Sequence, residues 1–501
     1  MTTNLVDAYT SMPAPPAKGT SLTALLYLVV SFLVILSSHA LVGTVGAVGY
    51  LWLIIFLVTM FYLLPLLAFT TMFTLLFFQN ILLCLVVHYV DGPEVLQIAQ
   101  GANFIAIAVL GGLASLIIFS KRNMFPPEQR KLLTAAALFV GTVIVYSAYG
   151  LAQARPTSVL AYTRLYLSGP LMLAIGFYFA QFVSPAYLRM LIAVTAIFML
   201  AYGAAELFFP FWLYETFKVD DFLHLKFLLR EDNRTFFSVA QAIEQNMRNY
   251  LNLTGAFGLD LVVMRLRGPT LHEISYGYAL MFLSYTCLFF RMPVLAFLCA
   301  VMLVIAGIKG PLIMLFFGIA IYAGYRLTRS GARYLLPVIT LTLLCYIIIA
   351  FLYGLSTRDF HILGLIGGIS GFFSNPIGRG VGVGGNMSDL AFAGRNFVDI
   401  HNAGRVDYAM ESAIGVLLYQ LGAASALFFI FYFRLWKTIW RIAIDTSKTM
   451  PQLVVFPIAM GFLLVNGLFQ EEMMSAQGWA VWLMAVGFFF GYGFKPKDNN
   501  A

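Results

Sequence analysis

The chain has 501 residues, of which 61% are hydrophobic and only 10% charged, and its mean hydropathy is +0.87. These values exclude an ordinary soluble domain and indicate a polytopic membrane protein. The formal charge of +8 reflects where basic residues sit relative to the bilayer, because they cluster in short connections on one predicted side, and it does not point to nucleic acid.

A helix needs about 20 apolar residues to cross the hydrocarbon layer, and about fourteen such runs are present, which predicts an all-α transmembrane bundle. Residues 1–20 carry Pro13, Pro15, Pro16 and Lys18 but neither the basic n-region nor the cleavage site of a secretory signal, so they read as a cytoplasmic tail. Seven spans fill 21–208, near 22–42, 46–64, 68–89, 103–119, 132–150, 165–183 and 187–208. A first large outer loop, 209–272, follows Glu206 at the membrane boundary. It offers two short surface-helix candidates, near 219–230 and 235–251, whose apolar residues Phe222, Leu225 and Leu229, then Phe237, Ala240 and Ile243, recur at helical spacing. Four spans occupy 273–354, near 274–290, 293–308, 310–326 and 334–354. A second large outer loop, 355–409, precedes three last spans in 410–494, near 410–433, 452–469 and 478–494, and residues 495–501 form the second tail.

With both termini cytoplasmic, 16 of the 30 Lys and Arg residues fall on the inner side, against 4 of the 22 acidic ones. This is the bias expected of cytoplasmic loops. All 6 histidines then lie on the outer face. Histidine exchanges protons near neutral pH, which makes that face the chemical one. The 4 cysteines, Cys84, Cys287, Cys299 and Cys345, fall inside predicted spans and indicate no disulfide framework or thiolate metal site.

Polar chemistry concentrates in residues 374–422, the longest break in the hydrophobicity of the carboxy-terminal half. Glycines 378, 380, 382, 384 and 385 allow close backbone approach to a ligand, or form a flexible tether. Arg379, Arg395 and Arg405 bring forked donors suited to phosphate. His401 and Glu411 are candidate proton acceptors, with helix capping and the helix dipole as their structural alternatives. Elsewhere, Arg164 at the mouth of the sixth span and Lys309 between Gly307 and Gly310 read as snorkelling anchors or as phosphate contacts. Gln470, Glu471 and Glu472 read first as solvated boundary charges and second as acceptor contacts.

Four pieces in this order resemble the Wzy-type polysaccharide polymerase and O-antigen ligase superfamily of the bacterial envelope: Ile308-Lys309-Gly310, Asn375-Pro376 with Gly378 to Gly385, His401-Asn402, and Glu411 with Gly415. The likeness covers roughly residues 300 to 425. Ile308-Lys309 stands where the family commonly has Ser-Arg, and the gap from His401 to Gly415 is longer than is usual in the ligase branch. The resemblance implies a metal-independent and cofactor-free glycosyltransferase in the bacterial inner membrane. It would move an undecaprenyl-diphosphate-linked oligosaccharide onto a lipid-linked repeat unit. An O-antigen ligase is the nearest alternative, and a lipid-linked oligosaccharide flippase is the alternative of another class. The implied partners are the lipid-linked oligosaccharide and membrane lipids, with a chain-length regulator or export proteins as further candidates, and no nucleic acid. Arg379, Lys309, Arg164, Arg395 and Arg405 would face the diphosphate, while His401 or Glu411 would take the acceptor proton.

Overall fold

The computed structural model describes residues 18–228, 238–250, 261–328, 334–388, 403–404, 406, 408–447 and 450–492. Nearly all of them are helical. Nine helical stretches among these residues are long and apolar enough to cross a membrane, and shorter apolar helices accompany them, so the chain is a multi-pass membrane protein.

The first stretch, Leu22–Leu63, contains two helices, α1 (Lys18–Val45) and α2 (Tyr50–Leu63), which fold back on each other at the turn Gly46–Gly49. Pro65 starts α3 (Pro65–Cys84), where its missing N–H costs nothing. Most of the α3 surface is buried, so this helix forms the centre of the bundle. A short α4 (Pro93–Ala99) leads to α5 (Ala102–Ser120), followed by α6 (Pro127–Gly150), α7 (Pro156–Phe179) and α8 (Pro185–Phe208). Each of the last three again starts with proline at its first turn.

In the region expected to be the first large loop, the chain forms α9 (Pro210–Phe217) and α10 (Val219–Leu228). The second surface-helix candidate, 235–251, is corrected. Only α11 (Val239–Glu244) is helical there, and β1 (Met247–Asn249) then pairs antiparallel with β2 (Val262–Met264). The Asn246 side-chain amide donates to the Arg265 carbonyl, and Arg265 N–H donates back to the Asn246 carbonyl at 3.1 Å, which closes the hairpin where helical periodicity had suggested continuation.

The second half comprises α12 (Glu273–Phe289), α13 (Pro293–Ala306), α14 (Lys309–Thr328) and α15 (Leu335–Thr357). The second loop is also corrected, because it opens with an apolar helix, α16 (Phe360–Ser374). Asp359 caps that helix by accepting the His361 N–H at 2.9 Å. The remaining helices are α17 (Ala413–Leu421), α18 (Ala426–Asp445), α19 (Val455–Asn466) and α20 (Val481–Tyr492).

Helix association in a bilayer lacks the hydrophobic driving force of water and relies on close packing of small residues. The pairing of α7 with α20 follows that rule, with Gly176 against Met484 and Gly487 against Leu173. Trp479 packs on Gly169 of α7, Trp482 packs on Phe282, Tyr285 and Phe456, and both are completely buried. Conversely, Leu341, Leu344, Ile348, Ile349 and Leu352 of α15 stand exposed, as side chains facing lipid do.

Candidate functional site

One end of the bundle gathers the described residues of the connections 84–102, 261–272, 375–388, 408–412 and 467–480 around a polar cavity of about 740 Å³. The glycine run leads into one wall at Asn386 and Met387, and its backbone geometry explains its composition. Gly378, Gly380, Gly382, Gly384 and Gly385 lie at φ of 91°, 95°, 92°, 83° and 88°, a region that other residues rarely occupy. The strand of chain they make, a run of turns and bends, is threaded among helices. Arg379 and Gly380 N–H groups donate to the carbonyls of Tyr419 and Gln420, at 3.0 to 3.3 Å, and Val381 N–H donates to the Tyr146 carbonyl at 2.9 Å. A Cβ on Gly150 would collide with the Val381 carbonyl. The glycines therefore serve close approach to neighbouring helices, and the tether alternative does not apply to 378–385.

Beyond this strand the chain reaches the segment between α19 and α20. Glu471 is only 7% exposed, and one of its oxygens accepts from the Tyr162 hydroxyl while the other accepts the Asn386 N–H at 3.1 Å. Met387 N–H donates to the Tyr162 oxygen at 3.1 Å. Burial pushes the Glu471 carboxyl up to about 7, and the neighbouring carboxyls of Glu411 and Glu472 push in the same direction. Glu472 accepts from Ser275 Oγ at 2.7 Å and lies 3.8 Å from His272 Nδ1. Burial also raises this carboxyl, against the opposing pull of the Ser275 and Ser475 hydroxyls and of the Arg164 and Lys226 charges.

Glu411 is the most unusual residue in the wall. It adopts φ of 56°, a left-handed conformation that costs a side-chain-bearing residue energy and tends to persist at functional sites. Its N–H donates to Asn386 Oδ1 at 3.2 Å, and its carboxylate lies 3.7 Å from His361 Nδ1. Ser412, next in sequence, caps α17 by accepting the Gly415 N–H at 3.0 Å. The cap starts the helix, and the preceding turn directs Glu411 into the cavity.

Two cations line the same space. Arg164 projects from α7, and its guanidinium makes no hydrogen bond or ion pair among the described residues. Lys226 extends from α10 over the Phe222 ring, 5.9 Å from its centroid, and its Nζ donates to the Leu271 carbonyl at 3.4 Å. Amide side chains complete the lining: Gln79, Asn80, Gln100, Asn103, Asn386, Gln470 and Gln477.

Thus Arg164 and Glu411 meet at one cavity, whereas two other expected cations lie elsewhere. Arg379 is corrected: it donates to the Gly371 carbonyl at 2.7 Å and to Ser374 Oγ at 2.9 Å, and its guanidinium stacks 4.2 Å from the Tyr419 centroid. Those bonds hold the glycine strand to α16 and α17. Lys309 is exposed at the start of α14 and does not line the cavity. His401, Arg395 and Arg405 lie outside the described residues. Glu471 and Glu472 are corrected from solvated boundary charges to cavity walls.

Their signal was present in the sequence, since they are the only Asp, Glu, Lys or Arg residues between Lys448 and Lys495. Lys226, His272 and His361 carried no comparable mark. Among the described residues no three His, Cys, Asp or Glu side chains converge as a metal site requires. No protein-family model matches the chain, and no curated protein matches it.

Proposed function

We propose that the chain is a metal-independent glycosyltransferase of the bacterial inner membrane, a polysaccharide polymerase that acts on undecaprenyl-diphosphate-linked glycan in exopolysaccharide or O-antigen biosynthesis. The observation that carries this reading is the meeting of an unpaired guanidinium, Arg164, with a strained carboxylate, Glu411, in one polar cavity of about 740 Å³. A sugar diphosphate is already activated. Breaking its anomeric C–O bond leaves negative charge on the departing diphosphate, and fixed cations in a water-poor site stabilise that charge. Arg164 and Lys226 supply them. The acceptor hydroxyl loses its proton to Glu411, and its oxygen forms the new bond to the anomeric carbon from the face opposite the leaving group, inverting that centre.

About fourteen crossings with cytoplasmic termini would set this cavity at the outer boundary of the hydrocarbon layer, where a lipid-linked donor presents its diphosphate. The chemistry also suits an O-antigen ligase, which differs only in the acceptor. A flippase would need the cations but no proton acceptor, so Glu411 separates the classes.

Deletion of the gene followed by complementation tests the reading. Loss of the gene is expected to leave single lipid-linked repeats on the outer face. Arg164→Ala, expressed at wild-type level, should fail to restore polymer, with turnover reduced on the order of 10²- to 10³-fold as for loss of one charge-stabilising donor. Finished polymer left on its lipid carrier would identify the ligase. Repeats trapped on the inner leaflet would overturn both enzyme readings.

A further inference from the structure

The amides around the cavity are not equivalent. Gln79 is fully engaged, donating to the Gln100 carbonyl at 2.7 Å and accepting the Asn103 N–H at 2.7 Å. Asn80 donates to the Thr270 carbonyl at 2.5 Å, and Gln477 donates to the Leu76 carbonyl at 2.5 Å. These three brace the walls. In contrast, the side-chain amides of Gln100 and Asn103 make no hydrogen bond among the described residues, although both line the cavity. The Gln79 clamp fixes the backbone beneath both of them, so they are presented rigidly, with Phe104 and Ile107 beside them.

This wall adjoins Arg164. Tyr50 lies within electrostatic reach of the guanidinium, and its hydroxyl donates to the Ile98 carbonyl. A ligand whose diphosphate rests on Arg164 therefore places the group next to its phosphates against Gln100 and Asn103. Each primary amide offers two donors and an acceptor in one plane, a match for neighbouring hydroxyls or an acetamido group. An aromatic ring beside them matches the apolar face of a pyranose. Neutral amides offer no charge to a carboxylate or a further phosphate.

We propose that Gln100, Asn103 and Phe104 form a saccharide subsite that reads the first sugar of the lipid-diphosphate donor, the one whose anomeric carbon reacts. This rests on the diphosphate reading of Arg164 above. The subsite selects an uncharged pyranose through bonds that the bare lipid diphosphate cannot make.

The test measures binding to the purified full-length protein in nanodiscs, using undecaprenyl diphosphate bare or carrying glucose, galactose or N-acetylglucosamine. Wild type is expected to bind at least one sugar-bearing lipid about tenfold tighter than the bare lipid. Gln100→Met and Asn103→Ala should each remove about three- to tenfold of that advantage, the worth of a neutral hydrogen bond, and leave bare-lipid affinity unchanged. Both substitutions delete groups without protein partners among the described residues, and a monodisperse elution profile confirms folding. An advantage that survives in both variants, or no preference by wild type for any of the three sugars, overturns the subsite. Bare-lipid binding that is indifferent to Arg164→Ala, with the sugar advantage still dependent on Gln100 and Asn103, overturns the diphosphate site and upholds the subsite. No binding of any of the four lipids overturns both.

Discussion

Glu206 and Glu471 are both buried carboxylates, at 0% and 7% exposure. Glu206 accepts the backbone N–H groups of Arg267, at 3.0 and 3.1 Å, and Gly268, at 2.8 Å, together with the Tyr214 hydroxyl at 2.9 Å. The Arg267 charge stands alongside and in turn meets Glu273 at 3.7 Å. Glu471 has one hydroxyl and one N–H, and two further carboxyls for neighbours. A saturated carboxylate beside a cation fastens the chain from β2 into α12 to the end of α8. An undersaturated one facing other acids holds its proton more tightly than a free carboxyl does. The contrast separates scaffold from site within a single bundle end.

The largest expected effect breaks the scaffold side. Glu206→Ala leaves two backbone donors and the Tyr214 hydroxyl without their acceptor and the Arg267 charge with Glu273 alone, and loss of one partner from such a buried set costs about 3–5 kcal/mol. Thermal unfolding in detergent should show a large drop in Tm, and wild-type melting would refute the structural role.

On the site side, Glu411→Gln is expected to lower turnover by on the order of 10²- to 10⁴-fold, the usual worth of a positioned proton acceptor. Glu411→Gly should lose activity to the same extent while melting no lower than wild type, because glycine occupies φ of 56° without strain. Retained activity in either variant would remove Glu411 from the proposed chemistry.

A third experiment sharpens the comparison through pH. Glu471 titrates near 4.5 in the unfolded chain and near 7 in the fold, so protonation favours the folded state. That contribution is complete below about 4.5 and is lost as pH rises through about 7. At about 1.4 kcal/mol for each pH unit between the two values, it amounts to on the order of 3 kcal/mol. The raised Glu472 carboxyl acts in the same sense. Wild-type Tm should fall between pH 5 and pH 8, and Glu471→Gln should fall less. Parallel melting curves across that range would contradict the assignment.

The smallest effect concerns Arg379. Arg379→Ala should cost about 1–2 kcal/mol of stability through its two lost hydrogen bonds, with KM for the lipid donor unchanged, whereas a raised KM would return it to the diphosphate site.

How far the sequence anticipated this molecule depends on what each pattern encodes. Apolar runs report burial in lipid directly, and the helices follow them. The glycine-rich stretch announced a segment bordering the site, which it enters at Asn386 and Met387, but not its role in contacting helices. Glu471 and Glu472 were misread because two acids between apolar runs look alike whether they face water or a cavity, and only the third dimension distinguishes them. Gln100, Asn103 and Lys226 come from parts of the chain far from the glycine strand, and no spacing in the sequence links them to it. The hairpin at 247–264 escaped because its strands are three residues long, too short for a period of two to show.

The glycine strand also sets the order in which the protein can be made. It emerges from α16 and is held by Tyr146 behind it in the chain, by Tyr419 and Gln420 ahead of it, and finally by Glu471. A nascent chain that has delivered everything up to α18 into the bilayer still lacks the carboxylate that fastens Asn386. The cavity is consequently completed late in insertion, when α20 closes against α7, and a chain released before residue 471 would carry both cations and an unfinished cavity wall.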